Sequence, residues 1–239
     1  MDWLKRFKHE IRETLGNSSR GVGLVSHFAH WKEVLVRPDS VICIEGYPRS
    51  ANTYSVAAML VSQPEFDGHI GRHTHLSGQV LRAVQFGVPT LVIIRKPLAA
   101  AASLRVFAPW MSAKQCLQDY QRFYSGIAAA REGYVLVRFE DITRDYNIAI
   151  DALNDRFDLS LAPFDGTEET VRRCFAMVED MDRVFNRSAK VSEDRVGRPS
   201  EAREALKERA REEIDSPVLK PLRERCEAVH RELLGTLER

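Results

Sequence analysis

The chain has 239 residues, 44% of them hydrophobic and 29% charged, with a formal net charge of +1. That is enough chain for one α/β domain with a substantial core, too apolar for a disordered polymer and too evenly charged for a nucleic-acid polycation. Its four cysteines, Cys43, Cys116, Cys174 and Cys226, lack metal-ligand spacing, so reduced thiols are expected in place of a disulfide framework or a zinc site. No apolar run approaches the ~18–20 residues of a membrane span. Residues 1–8, Met1-Asp2-Trp3-Leu4-Lys5-Arg6-Phe7-Lys8, lack the uninterrupted apolar core of a signal peptide. A cytoplasmic protein is the expectation.

From the N-terminus, Trp3, Leu4, Phe7, Ile11 and Leu15 recur at helical spacing, with Lys5, Arg6, Lys8 and Arg12 elsewhere on the wheel. Such a stripe is expected to pack on its own domain or on a sister subunit. A homodimer and peripheral membrane contact through this helix both stay open. Gly16 to Gly23 reads as a hinge or loop. Val41-Ile42-Cys43-Ile44 reads as a buried strand, followed by a helix from Thr53 to Leu60. Leu91-Val92-Ile93-Ile94 is the next strand. A helix from Pro97 to Arg105 has its proline in the first turn, where a missing N–H does no harm. A longer helix spans Lys114 to Arg131, and Tyr134-Val135-Leu136-Val137 is a third strand.

Helices then follow at Asp145–Phe157, Thr167–Glu179, Ser200–Glu213 and Pro217–Leu237, with a polar, mobile loop expected from Asn186 to Pro199. Strands alternating with helices imply βαβ units. The fold expected is α/β, a parallel sheet flanked by helices with a helical C-terminal part. It divides into an N-terminal helix and linker (1–23), a nucleotide-binding core (41–199) and C-terminal helices (200–239) of one domain.

The first strand runs into Glu45-Gly46-Tyr47-Pro48-Arg49-Ser50-Ala51-Asn52-Thr53-Tyr54 and straight into a helix. The carboxyl end of a strand is where an α/β sheet places ligands, and a helix N-terminus offers unpaired N–H groups to an anion. Against the Walker A pattern G-x-x-x-x-G-K-[ST], Gly46 and Thr53 are in place, but Ala51 stands for the second glycine and Asn52 for the lysine. A nucleoside triphosphatase needs that lysine on its β/γ-phosphates. The turn therefore reads as a P-loop-like strand–turn–helix with different chemistry.

Further segments extend the pattern. Tyr47-Pro48-Arg49-Ser50-Ala51-Asn52-Thr53-Tyr54 resembles the 5′-phosphosulfate loop Y-P-K-S-G-T-T-W of sulfotransferases that use 3′-phosphoadenosine 5′-phosphosulfate (PAPS). Arg95, with Ser103 eight residues later, is similar to the family's 3′-phosphate element. His73-Thr74-His75-Leu76 is similar to its K-T-H-L segment. Leu136-Val137-Arg138-Phe139-Glu140-Asp141-Ile142 resembles its L-x-x-Y-E-D-[LM] strand end, and Arg195-Val196-Gly197 its late R-K-G. The departures are Arg49 for lysine, Ala51 for glycine, Asn52 for threonine, Tyr54 for tryptophan, Ala99 for the acidic residue expected after Pro97, and a late loop without the family's second glycine and D-W.

The resemblance implies a PAPS-dependent sulfotransferase acting on a hydroxyl or amine of a small-molecule or carbohydrate acceptor, with no nucleic-acid partner and no metal. Ser50, Ala51, Asn52, Thr53 and Tyr54 would hold the 5′-phosphate and adenine. Arg49 would bind the phosphate and neutralise the leaving oxygen. Arg95 and Ser103 would grip the 3′-phosphate, with Arg195 and Gly197 closing over it. His75 would be the general base, titrating near the ordinary imidazole value of about 6.5. Two other readings stay open: a regulatory module that binds the desulfated nucleotide 3′-phosphoadenosine 5′-phosphate (PAP), and a small-molecule P-loop kinase.

Overall fold

The structure, a computed structural model, describes residues 2–28, 33–186 and 204–235. Arg195 and Gly197, and the expected loop beyond Asn186, lie outside the described residues. Four parallel strands form one sheet in the order β2-β1-β3-β4: β1 Ser40–Gly46, β2 His69–Arg72, β3 Thr90–Ile94 and β4 Val135–Arg138. The helices are α1 Asp2–Leu15, α2 Ser19–Phe28, α3 Asn52–Ser62, α4 Ser77–Phe86, α5 Pro97–Phe107, α6 Ala113–Ala128, the single turn α7 Phe139–Ile142, α8 Asn147–Phe157, α9 Glu168–Asn186, α10 Glu204–Ile214 and α11 Lys220–Leu234.

Alternation along the strands sets the two layers. Ile42, Ile44, Leu91, Ile93, Val135 and Val137 share one core with α3, α8 and α9. Val92, Ile94 and Leu136 share the other with α5, α6, α10 and α11. Successive strand side chains point to opposite faces, and continuous apolar runs such as Thr90–Ile94 are what a sheet covered on both sides demands. Parallel pairing in turn requires the helical crossovers between strands.

Several elements fall outside the sequence expectations, β2 and α4 among them. β2 has only four residues, His69-Ile70-Gly71-Arg72, and carries no apolar run; its pairing with β1 makes it a strand. Helix α4 buries polar Ser77, Gln79 and small Gly78 beside Val80 and Ala83, which masks its helical period. The expected loop Gly16–Gly23 is also corrected, because α2 begins at Ser19. The glycines there serve contact: a Cβ on Gly21 would lie 1.7 Å from the Leu15 carbonyl oxygen, and one on Gly78 2.3 Å from that of Gly16. α9 likewise continues past the expected end at Glu179, to Asn186.

A second correction concerns α1. Its stripe does not pack on the domain: Trp3, Leu4, Phe7, Ile11 and Leu15 are all exposed, and the buried side chains are polar His9 and Glu13. All four cysteines are buried free thiols. No described helix is long and apolar enough to cross a membrane.

Candidate nucleotide and acceptor site

β1 is buried at every position but one, and it carries a carboxylate, Glu45, just before Gly46. Glu45 is fully buried on the α4 side of the sheet, where Gln79 also reaches it. Its Oε1 accepts from the Thr74 amide at 2.8 Å and the Thr74 hydroxyl at 3.0 Å, and its Oε2 from the His75 amide at 3.1 Å. Those bonds pin the segment after β2 in an unusual path: His73 and His75 both adopt φ of 56°. Left-handed backbone at a non-glycine residue is costly and persists where the surroundings over-determine it, often at functional sites. Burial pushes the Glu45 carboxyl up to about 7, against the lowering effect of these donated bonds.

Gly46 is the next constraint. A Cβ there would meet the Ile93 carbonyl oxygen at 2.5 Å and Asn52 Oδ1 at 2.9 Å, so only glycine fits. Its carbonyl oxygen lies 2.9 Å from His75 Nδ1. A carbonyl can only accept, so this contact assigns the proton to Nδ1 and leaves Nε2 as the basic nitrogen. Glu45 Oε2 lies 3.7 Å from the same Nδ1. Burial, with the Arg12 and Arg49 cations acting in the same sense, lowers the His75 pKa to about 4; the bond to Gly46 opposes it. His73 falls to about 3, through burial first and then the neighbouring His75. The expectation of an unperturbed His75 is therefore corrected: both rings are neutral at pH 7.

The turn from Tyr47 to Ala51 is held from both sides. The buried Tyr47 hydroxyl donates to the Cys116 carbonyl at 2.8 Å, and Asn52 Nδ2 donates to the Tyr47 carbonyl at 3.0 Å. Asn52 thus clamps the turn where a P-loop kinase would extend a lysine. Arg49 and Ala51 have φ of 69° and 66°. The second is the position where the resembling loop has glycine, and alanine pays about 1–2 kcal/mol for that conformation. Ala51 caps α3 without a side-chain hydrogen bond, and the first intrahelical bond there is from the Ser55 amide to the Ala51 carbonyl. The first-turn N–H groups thus have no intrahelical acceptor. Ser50 Oγ and Asn52 Oδ1 are buried without a hydrogen bond of ordinary geometry; only the Tyr124 phenol comes within weak reach of Ser50. First-turn amides, a hydroxyl with only that weak contact and a dipole terminus suit a bound phosphate.

The turn and the neighbouring strand supply one cation each, and α5 a hydroxyl. Arg95, at the end of β3, donates from Nη1 to the Arg49 carbonyl at 2.8 Å and stacks 4.1 Å over the Phe139 ring. Arg49 Nε lies 3.4 Å from Ser103 Oγ on α5, with its guanidinium 5.1 Å from the Phe107 ring centroid. Arg49, Arg95 and Ser103 are thus brought to one place. Thr53 Oγ1 lies 3.2 Å from His73 Nε2. Tyr54 packs edge-on against Tyr146 and tilted against Phe175, and all three line the same wall.

These groups surround one cavity of about 1500 Å³. It exceeds the ~300–1,000 Å³ of ordinary ligand pockets and has room for a nucleotide and a second molecule. Its far wall includes Trp110, Met111, His9, Glu13 and Asp119. His9 Nε2 lies 2.6 Å from Asp119 Oδ2, Arg12 bonds Glu13, and Arg122 Nη1 lies 3.3 Å from Asp119 Oδ1. Each of these carboxylates thus has an arginine beside it as well as His9.

Glu45, the αL pair His73/His75 and the far wall were not anticipated from sequence. Glu45 did leave a signal: a lone carboxylate inside an otherwise apolar strand, one residue before the turn. Buried charges are partnered or functional.

No family model matches this sequence, and no curated protein matches it. Among solved structures, the chain is similar to mouse sulfotransferase SULT7A1, complexed with PAP, at 11% identity and a TM-score of 0.40, over 62% of this chain and 70% of that one. Similarity of that size leaves the functional reading to the geometry of the site.

Proposed function

We propose that this protein is a sulfotransferase that moves a sulfuryl group from PAPS to a hydroxyl or amine of a small-molecule or carbohydrate acceptor, with His75 as general base. One observation carries the reading: the phosphate-suited turn, through Tyr47–Arg49 and Ala51–Tyr54, and a His75 whose Nδ1 is tied to Gly46 line the same cavity. The bound donor supplies an activated sulfuryl group whose S–O bond to the 5′-phosphate breaks as the acceptor's bond to sulfur forms. The first-turn amides of α3 and Ser50 would hold that phosphate, and Arg49 would balance charge growing on the leaving oxygen. Arg95 and Ser103 would take the 3′-phosphate by charge-assisted bonds. His75 Nε2 would receive the acceptor proton, worth roughly 10²–10⁴ in rate. Asn52, turned inward on the Tyr47 carbonyl, speaks against a kinase.

One observation favours a second reading, a PAP-binding module without turnover. Arg49 rests against Ser103 and Phe107, a position suited to nucleotide binding. A screen of alcohol, phenol, sugar and amine acceptors with PAPS labelled in its sulfate separates the two. Label moving to one acceptor class, or slow release of PAP into water, is the expected result. Tight PAP binding with neither outcome would replace the enzyme by the binding module.

A further inference from the structure

Helix α1 is inside-out. Its buried side chains are polar: His9 bonds Asp119 across the cavity wall, and Glu13 is 3% exposed. Its apolar side chains face solvent, with Trp3 72%, Phe7 56%, Leu15 50%, Ile11 44% and Leu4 41% exposed. At 100° per residue these five side chains and Thr14 share an arc of about 120° on the wheel. Leu24 on α2 adds another exposed apolar side chain, at 63%.

The charges on α1 are largely sorted around this arc; Arg6 is the basic residue on the acidic side, where it donates to the Trp110 carbonyl. Lys8, Arg12 and Lys5 follow one another beyond the Leu15 edge on the wheel. Exposed Lys5 and Lys8 have no ion pair among the described residues, whereas the acidic residues of the helix lie on the other side. There Glu10 pairs with Arg122 at 3.2 Å and Glu13 with Arg12. The apolar arc itself holds no carboxylate. A large apolar arc with a tryptophan, bordered on one side by lysines, is the physical description of a helix that lies in a bilayer interface. Two copies of this face packed antiparallel would set lysine border against lysine border, and Glu10, at the opposite border, is already taken by Arg122 of its own chain.

We propose that α1 docks this protein on an anionic lipid surface, with Trp3, Leu4, Phe7, Ile11 and Leu15 entering the headgroup–acyl boundary and Lys5 and Lys8 contacting anionic headgroups. Since the opposite face of α1 walls the cavity, docking fixes the cavity against the membrane. Docking through α1 is independent of the reaction that the cavity performs.

Co-sedimentation of the full chain with vesicles tests it, using pure phosphatidylcholine and a mixture holding about 30% phosphatidylserine, with Trp fluorescence recorded in parallel. The protein should sediment with the anionic vesicles and not the neutral ones, with a blue-shifted emission that Trp3→Ser abolishes. Lys5→Gln with Lys8→Gln should weaken binding by about thirtyfold. Phe7→Ser with Ile11→Ser should abolish it while leaving the melting temperature within a degree or two, since both side chains face solvent. Equal binding to neutral vesicles, no binding to either, or a dimer in solution that Phe7→Ser with Ile11→Ser dissociates would each overturn the proposal.

Discussion

His75→Ala should lower turnover by about 10²–10⁴ while leaving PAP affinity within about threefold. The loss is the usual worth of a positioned base. Affinity survives because the imidazole is tied through Nδ1 to Gly46 and presents Nε2 to the acceptor, whereas the phosphate-holding amides belong to α3. The pH dependence carries its own sign. A histidine whose pKa lies near 4 is already deprotonated at pH 7, so the rate should fall only as pH drops through about 4, and the variant should lose that limb. A separate change near pH 7 belongs to Glu45, whose ionisation alters the charge beneath the same loop; Glu45→Gln should remove it. Turnover unchanged in His75→Ala would move the base to His73, 5.9 Å away ring to ring.

Arg95→Ala should weaken PAP binding by about 2–4 kcal/mol, because a phosphate would then face a site lacking its charged partner. ADP, which has no 3′-phosphate, should lose only about 1 kcal/mol, the worth of one hydrogen bond. That smaller loss arises because Arg95 also donates to the Arg49 carbonyl and so supports the turn itself. Titration calorimetry with both nucleotides separates the two contributions. Equal losses for PAP and ADP would mean that Arg95 acts only on the turn, with no role at a 3′-phosphate.

Much of the fold is written locally. The apolar runs at Val41–Ile44, Leu91–Ile94 and Tyr134–Val137 each lie within or overlap an observed strand, and Pro97 starts α5 where its ring suits the first turn. Gly46 and the turn after it announce the anion-suited helix start. What stays hidden depends on partners distant in sequence. β2 is a strand only because β1 pairs with it. The role of Glu45 requires Thr74 and His75, 29 and 30 residues away, to donate to it. The His75 pKa is set by burial, which no local pattern encodes. The helical period of α1 was plain in the sequence, but which side faced inward was not, because His9 finds its partner 110 residues away in Asp119. Asn52 shows the same limit: it stands where a threonine would be expected to touch phosphate, and its amide instead closes the turn on Tyr47.

A nucleotide held between the turn at Ser50–Tyr54, Arg95 at the end of β3 and Ser103 of α5 is the central claim. The structure of the protein with saturating PAP measures this directly. One phosphate should sit against the first-turn amides of α3 and the Ser50 hydroxyl, and the second within hydrogen-bond reach of Arg95 and Ser103, with Arg49 between them. PAP bound elsewhere in the cavity, or a 3′-phosphate that touches neither Arg95 nor Ser103, would contradict it.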